Sequence, residues 1–176
     1  TRETLSFLGA GCYQHQIPAV CDEINSRGEF LTAYAGEPYE DHGRFQALFE
    51  YQSLMAELLN MDVVNVPTYD GFQAAATALR MAARITGRGH VLVCSSISPA
   101  KLSKIQDYCQ PGPEIRLVGY DARTGVLDLD QLQSALSDQT AAVYFENPAY
   151  LGFIETQGGE ISAMAHECGA QCVVAV

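Results

Sequence analysis

Apolar positions follow two different spacings along the chain, and each spacing predicts a different kind of element. In the first half apolar residues recur at a helical period, over residues 17–27 and again from Phe45 to about Asn60. The alanine-rich segment Gly71–Ile85 predicts a third helix, which Asp70 is placed to cap and Gly87 to end. The first half of the chain is therefore predicted to be helical, with a Gly-, Pro- and Tyr-rich loop between the first two helices.

From residue 90 onward, short continuous apolar runs indicate buried strands, and helical segments separate them. Helix-start signals stand between the runs: Ser98 precedes Pro99, and Asp128 is followed by Gln131 as in a capping box. The predicted strands are Val91–Cys94, Glu114–Tyr120, Ala141–Phe145 and Cys172–Val176. Strands separated by helices favour right-handed crossovers, so we expect an α/β fold with a parallel-dominated sheet and helices on both faces.

The two ends of the chain suggest part of a longer protein. The chain starts at Thr1 without methionine and stops inside the last apolar run, and an apolar terminus must be tied into a core. We expect residues 1–43 to form an N-terminal helix and loop segment. We expect residues 44–176 to form a portion of a larger α/β domain, truncated at its C-terminal side.

Composition excludes several classes of partner. A net charge of −11 argues against a nucleic-acid surface or an anionic membrane face, both of which require lysine and arginine. The six cysteines form no C-x-x-C pair, and the spacing of His166, Cys168 and Cys172 matches no zinc pattern. We therefore expect reduced, mostly buried cysteines, no metal site and a cytoplasmic protein.

The carboxyl ends of the predicted strands are where an open parallel sheet binds ligands. The loops to consider there are Tyr69–Gly71, Ser95–Ser98 and Glu146–Pro148. Asp70 could equally be a plain helix cap, and Asn147 followed by Pro148 could be an ordinary turn. Gly9–Gly11 is not a dinucleotide-binding fingerprint, because no strand precedes it and no third glycine follows.

The chain has two lysines, Lys101 and Lys104, and both fall within the helix that follows Pro99. At this spacing they lie on one helix face, a usual place for solvated charges. A lysine that forms a Schiff base must be buried beside its cofactor. We therefore expect neither lysine to bind a cofactor covalently.

Several segments occur in an order that is typical of one enzyme family. They are Phe7–Gly11, Ile17–Val20, Gln46–Gln52, Tyr69–Gly71, Asn147-Pro148 and Gly152. The chain resembles the glycine cleavage system P-proteins, which are pyridoxal-phosphate-dependent glycine decarboxylases. It is most similar to the first of the two subunits found where the enzyme is split, and the resemblance extends over nearly the whole chain.

The resemblance implies a fold-type I, aspartate aminotransferase-like large domain, of which this chain is the first part. It also implies that pyridoxal phosphate sits on a lysine-bearing second subunit and not covalently on this chain. The reaction implied is conversion of glycine to CO2 and an aminomethyl group, which passes to the lipoyl group of the H-protein. This chain would then contribute no catalytic residue, and Tyr69, Asp70, Gly71 and Asn147 would be degenerate cofactor-loop positions in a hetero-oligomer.

The loop from Tyr34 to Gly43 is the part of the chain that the resemblance places near the second subunit. We expect Tyr34, Tyr39 and His42 to face that partner, since tyrosines offer large, rigid contact area. The run Ala35–His42 is shorter and more acidic than in the family, and Phe72-Gln73 replaces smaller residues.

Two alternatives stay open because of these departures. One is an independent fold-type I enzyme, such as an aminotransferase or desulfurase, whose lysine lies beyond residue 176. The other is a non-catalytic regulatory homologue that keeps the fold without the reaction.

Overall fold

The computed structural model describes residues 16–27 and 42–176, with side chains from residue 46 in the second range. The chain divides into two compact units between Pro67 and Thr68. Tyr34 and Tyr39 lie outside the described ranges, and only the backbone position of His42 is known. The division predicted between residues 43 and 44 stays a prediction.

Among the described residues of the first unit, two helices lie where the apolar period predicts them. Helix α1 spans Ala19–Asn25 and helix α2 spans His42–Leu59. Asn60 adopts a positive φ of 51° just after α2, a left-handed conformation that ends the helix. The side-chain amide of Gln52 donates to the Val64 carbonyl at 2.7 Å and so ties α2 to the segment that follows it.

The second unit is built on a four-stranded parallel sheet. Its strands, in chain order, are β1 His90–Cys94, β2 Glu114–Val118, β3 Thr140–Glu146 and β4 Gln171–Ala175. The spatial order is β2-β1-β3-β4, and every neighbouring pair is parallel. The predicted parallel α/β sheet is therefore confirmed.

Helices cover both faces of this sheet, as predicted. They are α3 Gly71–Thr86, α4 Pro99–Cys109, α5 Leu129–Ala135 and α6 Gly158–Glu167. Successive strand residues point to opposite faces, so Val91 and Val93 pack in one core cluster with α3 and α4. Leu92 and Cys94 pack in the other cluster, with α5 and α6.

The helix-start signals are confirmed in part. Asp70 Oδ1 accepts from the Gln73 amide at 2.9 Å, and Asp128 Oδ1 accepts from the Gln131 amide at 3.0 Å. Pro99 stands in the first turn of α4, but the cap expected from Ser98 is wrong, because its side chain makes no capping hydrogen bond. Within the described part of the chain, no helix combines the length and apolarity needed to cross a membrane.

Candidate functional site

The carboxyl ends of β3 and β4 border a cavity of about 340 Å3, here called the carboxyl-end cavity. Its walls come from the start of α3, the start of α4 and the two strand ends. They are Gly71, Ala74, Ala75, Ala78, Lys101, Tyr144 and Val173–Val176. The topology thus places the predicted loop at Gly71 beside the end of β3, where parallel sheets hold their ligands.

Three polar side chains meet at the edge of this cavity and form a closed cluster. Lys101 Nζ donates to Glu146 Oε1 at 2.5 Å, and Tyr144 Oη donates to the same oxygen at 2.9 Å. The lysine and glutamate side chains keep only 24% and 11% of their exposure. Burial raises the pKa of Tyr144, and the neighbouring Glu146 carboxylate raises it further. The phenol therefore stays protonated, as a donor to the carboxylate.

The expectation that Lys101 is a solvated charge is wrong, because its side chain is only 24% exposed. Lys101 stands in the first turn of α4, and the start of that helix lies at the carboxyl edge of the sheet. Its ammonium is within reach of the α3 start, since a Cβ added to Gly71 would lie 3.9 Å from Nζ. Lys104 is exposed, and its ammonium lies 4.9 Å from the centre of the Phe72 ring, a cation–π contact.

The Tyr69–Gly71 loop is held by its own hydrogen bonds. Besides the Asp70 cap, the Tyr69 amide donates to Gln73 Oε1 at 3.2 Å. Gln73, which belongs to the Phe72-Gln73 departure from the family pattern, thus accepts a hydrogen bond from the loop and helps to fix its conformation. Tyr69 itself is 89% exposed and contributes nothing to the cavity wall.

Asn147 has a structural role in the described residues. Its side-chain Oδ1 accepts from the Glu155 amide at 3.2 Å, and its Nδ2 donates to the Glu155 carbonyl at 3.4 Å. Its own amide donates to the Ala175 carbonyl, joining the end of β3 to β4. The side-chain amide is therefore committed to the turn at residues 147–155.

Glu155 is the buried charge that sequence reasoning missed. It is 8% exposed, and its carboxylate accepts from the Leu127 amide at 2.7 Å and from the Gln157 amide at 2.9 Å. Its Gln157 partner is local, but Leu127 lies 28 residues away in sequence, so only the fold brings Glu155 to that amide. Glu146 was named only as part of the Glu146–Pro148 loop. Its pairing was missed because Lys101 lies 45 residues away in sequence, although the position of Glu146 two residues after Tyr144 puts those two side chains on one strand face.

The cysteines behave as small hydrophobes where the structure describes them. Cys94 and Cys109 lie buried in the core, and the five cysteines of the described ranges are free thiols. Burial raises the pKa of the Cys109 thiol, although Arg80 partly opposes this effect. Among these residues no group of three or more His, Cys, Asp or Glu could hold a metal ion.

The charges around the carboxyl-end cavity determine how well the phosphate of pyridoxal phosphate could bind there. A phosphate at the start of α3 would meet the Asp70 carboxylate, which already accepts from the Gln73 amide. The nearby ammonium of Lys101 is paired with Glu146. Two carboxylates against one ammonium leave a negative balance, which opposes a phosphate dianion. The charges at the start of α3 therefore disfavour the cofactor's phosphate at that position.

Comparison with known proteins places the chain among related sequences. The model of the family described as "Glycine cleavage system P-protein" matches residues 1–176. The chain is 42% identical, over 172 residues, to a protein of Koribacter versatilis named "Probable glycine dehydrogenase (decarboxylating) subunit 1". That alignment covers 97% of this chain and 39% of the relative, so the chain spans about two fifths of the length of the curated relatives it matches.

Solved structures give the same fold. A crystal structure of glycine decarboxylase (P-protein) of the glycine cleavage system, in inhibitor-bound form, matches with a TM-score of 0.83 and 34% identity. The match covers 96% of this chain and 38% of that one. A NifS-like protein, 13% identical with a TM-score of 0.62 over 86% of this chain and 42% of that one, shows the fold alone. The fold-type I, pyridoxal-phosphate-enzyme fold expected from the sequence is thereby confirmed.

Proposed function

Because the chain belongs to the glycine cleavage system P-protein family, we propose that it is part of the lysine-free first subunit of the split glycine decarboxylase. In this proposal the assembled enzyme converts glycine to CO2 and an aminomethyl group on the lipoyl H-protein. The second subunit carries the Schiff-base lysine and pyridoxal phosphate, which supplies the electron sink for decarboxylation. The assembly is a cytoplasmic hetero-oligomer.

The observation that carries this proposal is the pairing of Lys101 with Glu146 at the strand ends. A Schiff-base lysine needs a neutral amine aimed at its cofactor. Lys101 instead donates to a carboxylate that also receives the Tyr144 hydroxyl. Lys104 lies over Phe72 on the exposed side of α4. Both arrangements support a subunit that does not bind the cofactor covalently.

The role we assign to this chain is to support the partner's active site and exclude water from it. At the carboxyl end of the sheet, the Lys101–Glu146–Tyr144 cluster would form a rigid surface against the partner. Because its lysine is already paired, this surface would not bind an anion. Tyr34, Tyr39 and His42 are proposed to face the partner near the mouth of its active site.

Reconstitution tests the proposal directly. The full-length subunit is assayed for glycine decarboxylation with H-protein, alone and with the lysine-bearing subunit. We expect activity only when both subunits are present. Full activity of this subunit alone would contradict the proposal and favour the independent fold-type I enzyme. A stable complex without any activity would favour the regulatory homologue.

The proposed interface has its own test in the same assay. Replacing Tyr34 and Tyr39 together by alanine should weaken assembly and lower glycine decarboxylation, because both large contact surfaces are lost. Tyr69→Ala is a matched control, since Tyr69 is exposed and outside the proposed interface. Unchanged assembly and activity of the double variant would remove the loop from the interface.

A further inference from the structure

A second cavity lies at the opposite, amino end of the sheet. It has a volume of about 430 Å3 and lies where α3 ends and where β1 and β2 begin. Its lining residues are Arg80, Ala83, Arg84, Gly87, Arg88, Gly89, Gly112 and Pro113. We call it the arginine groove, because three of the eight lining residues are arginines and none is acidic.

The charge of this groove is unusual for the chain. The protein has 21 acidic residues against ten Lys and Arg, yet three of those ten cations converge here. The carboxylate next in sequence to the lining residues is Glu114, which is bound by Arg116 at 3.0 Å and lies 3.6 Å from His90. Glu114 is therefore paired on β2 and is not a counter-ion for the groove.

Two of the arginines also close helix ends. Arg80 Nη1 donates to the Tyr108 carbonyl in the last turn of α4 at 2.8 Å. Arg88 Nη1 donates to the Cys168 carbonyl just after α6 at 2.7 Å, and to the Thr140 carbonyl at 3.0 Å. Basic residues at helix C-termini stabilise the exposed carbonyls, so this role explains part of the cluster.

That structural role does not neutralise the groove. Each helix C-terminus carries about half a negative charge. The C-termini of α3, α4 and α6 together therefore oppose roughly 1.5 of the three positive charges. Arg84, in the last turn of α3, makes no hydrogen bond or ion pair within the described residues. Guanidinium donors therefore remain for an added anion, and they are arranged as forks that match phosphate oxygens.

We propose that the arginine groove binds a phosphate monoester, with Arg84 as the principal contact and the positive field of Arg80 and Arg88 as support. The volume falls within the range of small-molecule sites, which is about 300–1,000 Å3, and exceeds what phosphate alone requires. The ligand class is a small organic phosphate dianion. The site is separate from the carboxyl-end cavity and from the proposed decarboxylase function.

Calorimetric titration of the full-length protein with inorganic phosphate tests this proposal. Ionic strength is held constant with potassium chloride, because screening alone changes any electrostatic interaction. We expect saturable binding, and about tenfold weaker binding in Arg84→Gln, which loses one charge-assisted contact. Arg84 is exposed, so the melting temperature of that variant should fall by no more than a few degrees, the effect of losing one charge at a helix C-terminus.

Arg123→Gln is the matched control, because it removes the same charge from an exposed turn outside the groove. Its phosphate affinity should stay within about twofold of the wild type, since net charge alone acts weakly at this range. Absence of saturable binding would overturn the proposal. Equal weakening in Arg84→Gln and Arg123→Gln would overturn it too, since it would mean that phosphate senses only net charge.

Discussion

The cationic side chains at the two ends of the sheet differ in whether a carboxylate pairs with them. At the carboxyl end, Lys101 is bound by Glu146, which also receives a hydrogen bond from Tyr144. At the amino end, Arg80, Arg84 and Arg88 line a groove without an acidic side chain. The lysine charge at the carboxyl end is therefore paired with a carboxylate, whereas the arginines at the amino end have no acidic side chain beside them in the groove.

This difference bears on where the chain can bind phosphate. Enzymes of parallel α/β folds hold their ligands at the carboxyl end of the sheet. Here that end carries a cap carboxylate at Asp70 and a paired lysine, while the amino end carries the uncompensated cations. The Lys101–Glu146–Tyr144 cluster satisfies the polar groups at the carboxyl end with the chain's own side chains.

The largest effect is expected from Glu146→Ala. The change leaves the Lys101 ammonium and the Tyr144 hydroxyl half-buried without an acceptor, so we expect a loss of about 2 kcal/mol in unfolding free energy. Chemical denaturation of the full-length subunit measures it. Glu114→Ala, which breaks an exposed ion pair at the other end of the sheet, should leave the midpoint unchanged.

Pairing can be separated from packing by a second variant. Glu146→Gln keeps an acceptor for Tyr144 and should lose less stability than Glu146→Ala. Equal stability of wild type, Glu146→Ala and Glu146→Gln would contradict a closed cluster at the carboxyl end.

Alkaline pH provides the next test. Because the pKa of Tyr144 is raised in the folded state, the fold holds this proton more tightly than the unfolded chain does. The resulting stability is fully present below the ordinary tyrosine pKa of about 10 and is lost as pH rises above it. Tyr144→Phe should therefore flatten the fall in stability above that pH. Tyr108→Phe, at a half-exposed site, is the control and should keep the wild-type slope.

A smaller effect is expected at the start of α3. Asp70→Ala removes the cap of Gln73 and should cost about 1 kcal/mol in unfolding free energy. Asp70→Asn keeps a capping oxygen and removes the charge, so its stability should stay near that of the wild type. If Asp70→Asn loses as much as Asp70→Ala, the charge at this end matters more than the cap.

Local sequence signals were sufficient for the elements of the fold. Apolar periodicity predicted α2 and α3, and apolar runs predicted the four strands. The burial that these patterns imply is found in β1 and β3, whereas β2, β4 and the described apolar side chains of α2 remain largely exposed or half-buried. The Asp70 and Asp128 caps could be predicted because each aspartate lies only three residues before the residue whose backbone amide it accepts from. The Ser98 cap was predicted wrongly, because a helix can begin without a side-chain capping hydrogen bond.

The polar clusters could not be predicted from the sequence, and the reason is physical. Lys101 and Glu146 are 45 residues apart, and Arg88 and Cys168 are 80 apart, so each contact exists only after the sheet has formed. Two lysines at helix spacing are normally solvated, and nothing near Lys101 in sequence reveals an acceptor. The family resemblance implied that neither lysine binds the cofactor covalently, but it did not indicate what Lys101 contacts.

The most direct test of the central claim is reductive trapping in the assembled two-subunit enzyme. Borohydride reduction with pyridoxal phosphate, followed by peptide mass spectrometry, locates every lysine that forms a Schiff base. The account predicts one stoichiometric pyridoxyl adduct on the partner subunit and none on Lys101 or Lys104. A stoichiometric adduct on Lys101 would show that the Glu146 pair opens to admit the cofactor, and would contradict the assignment of this chain as the lysine-free subunit.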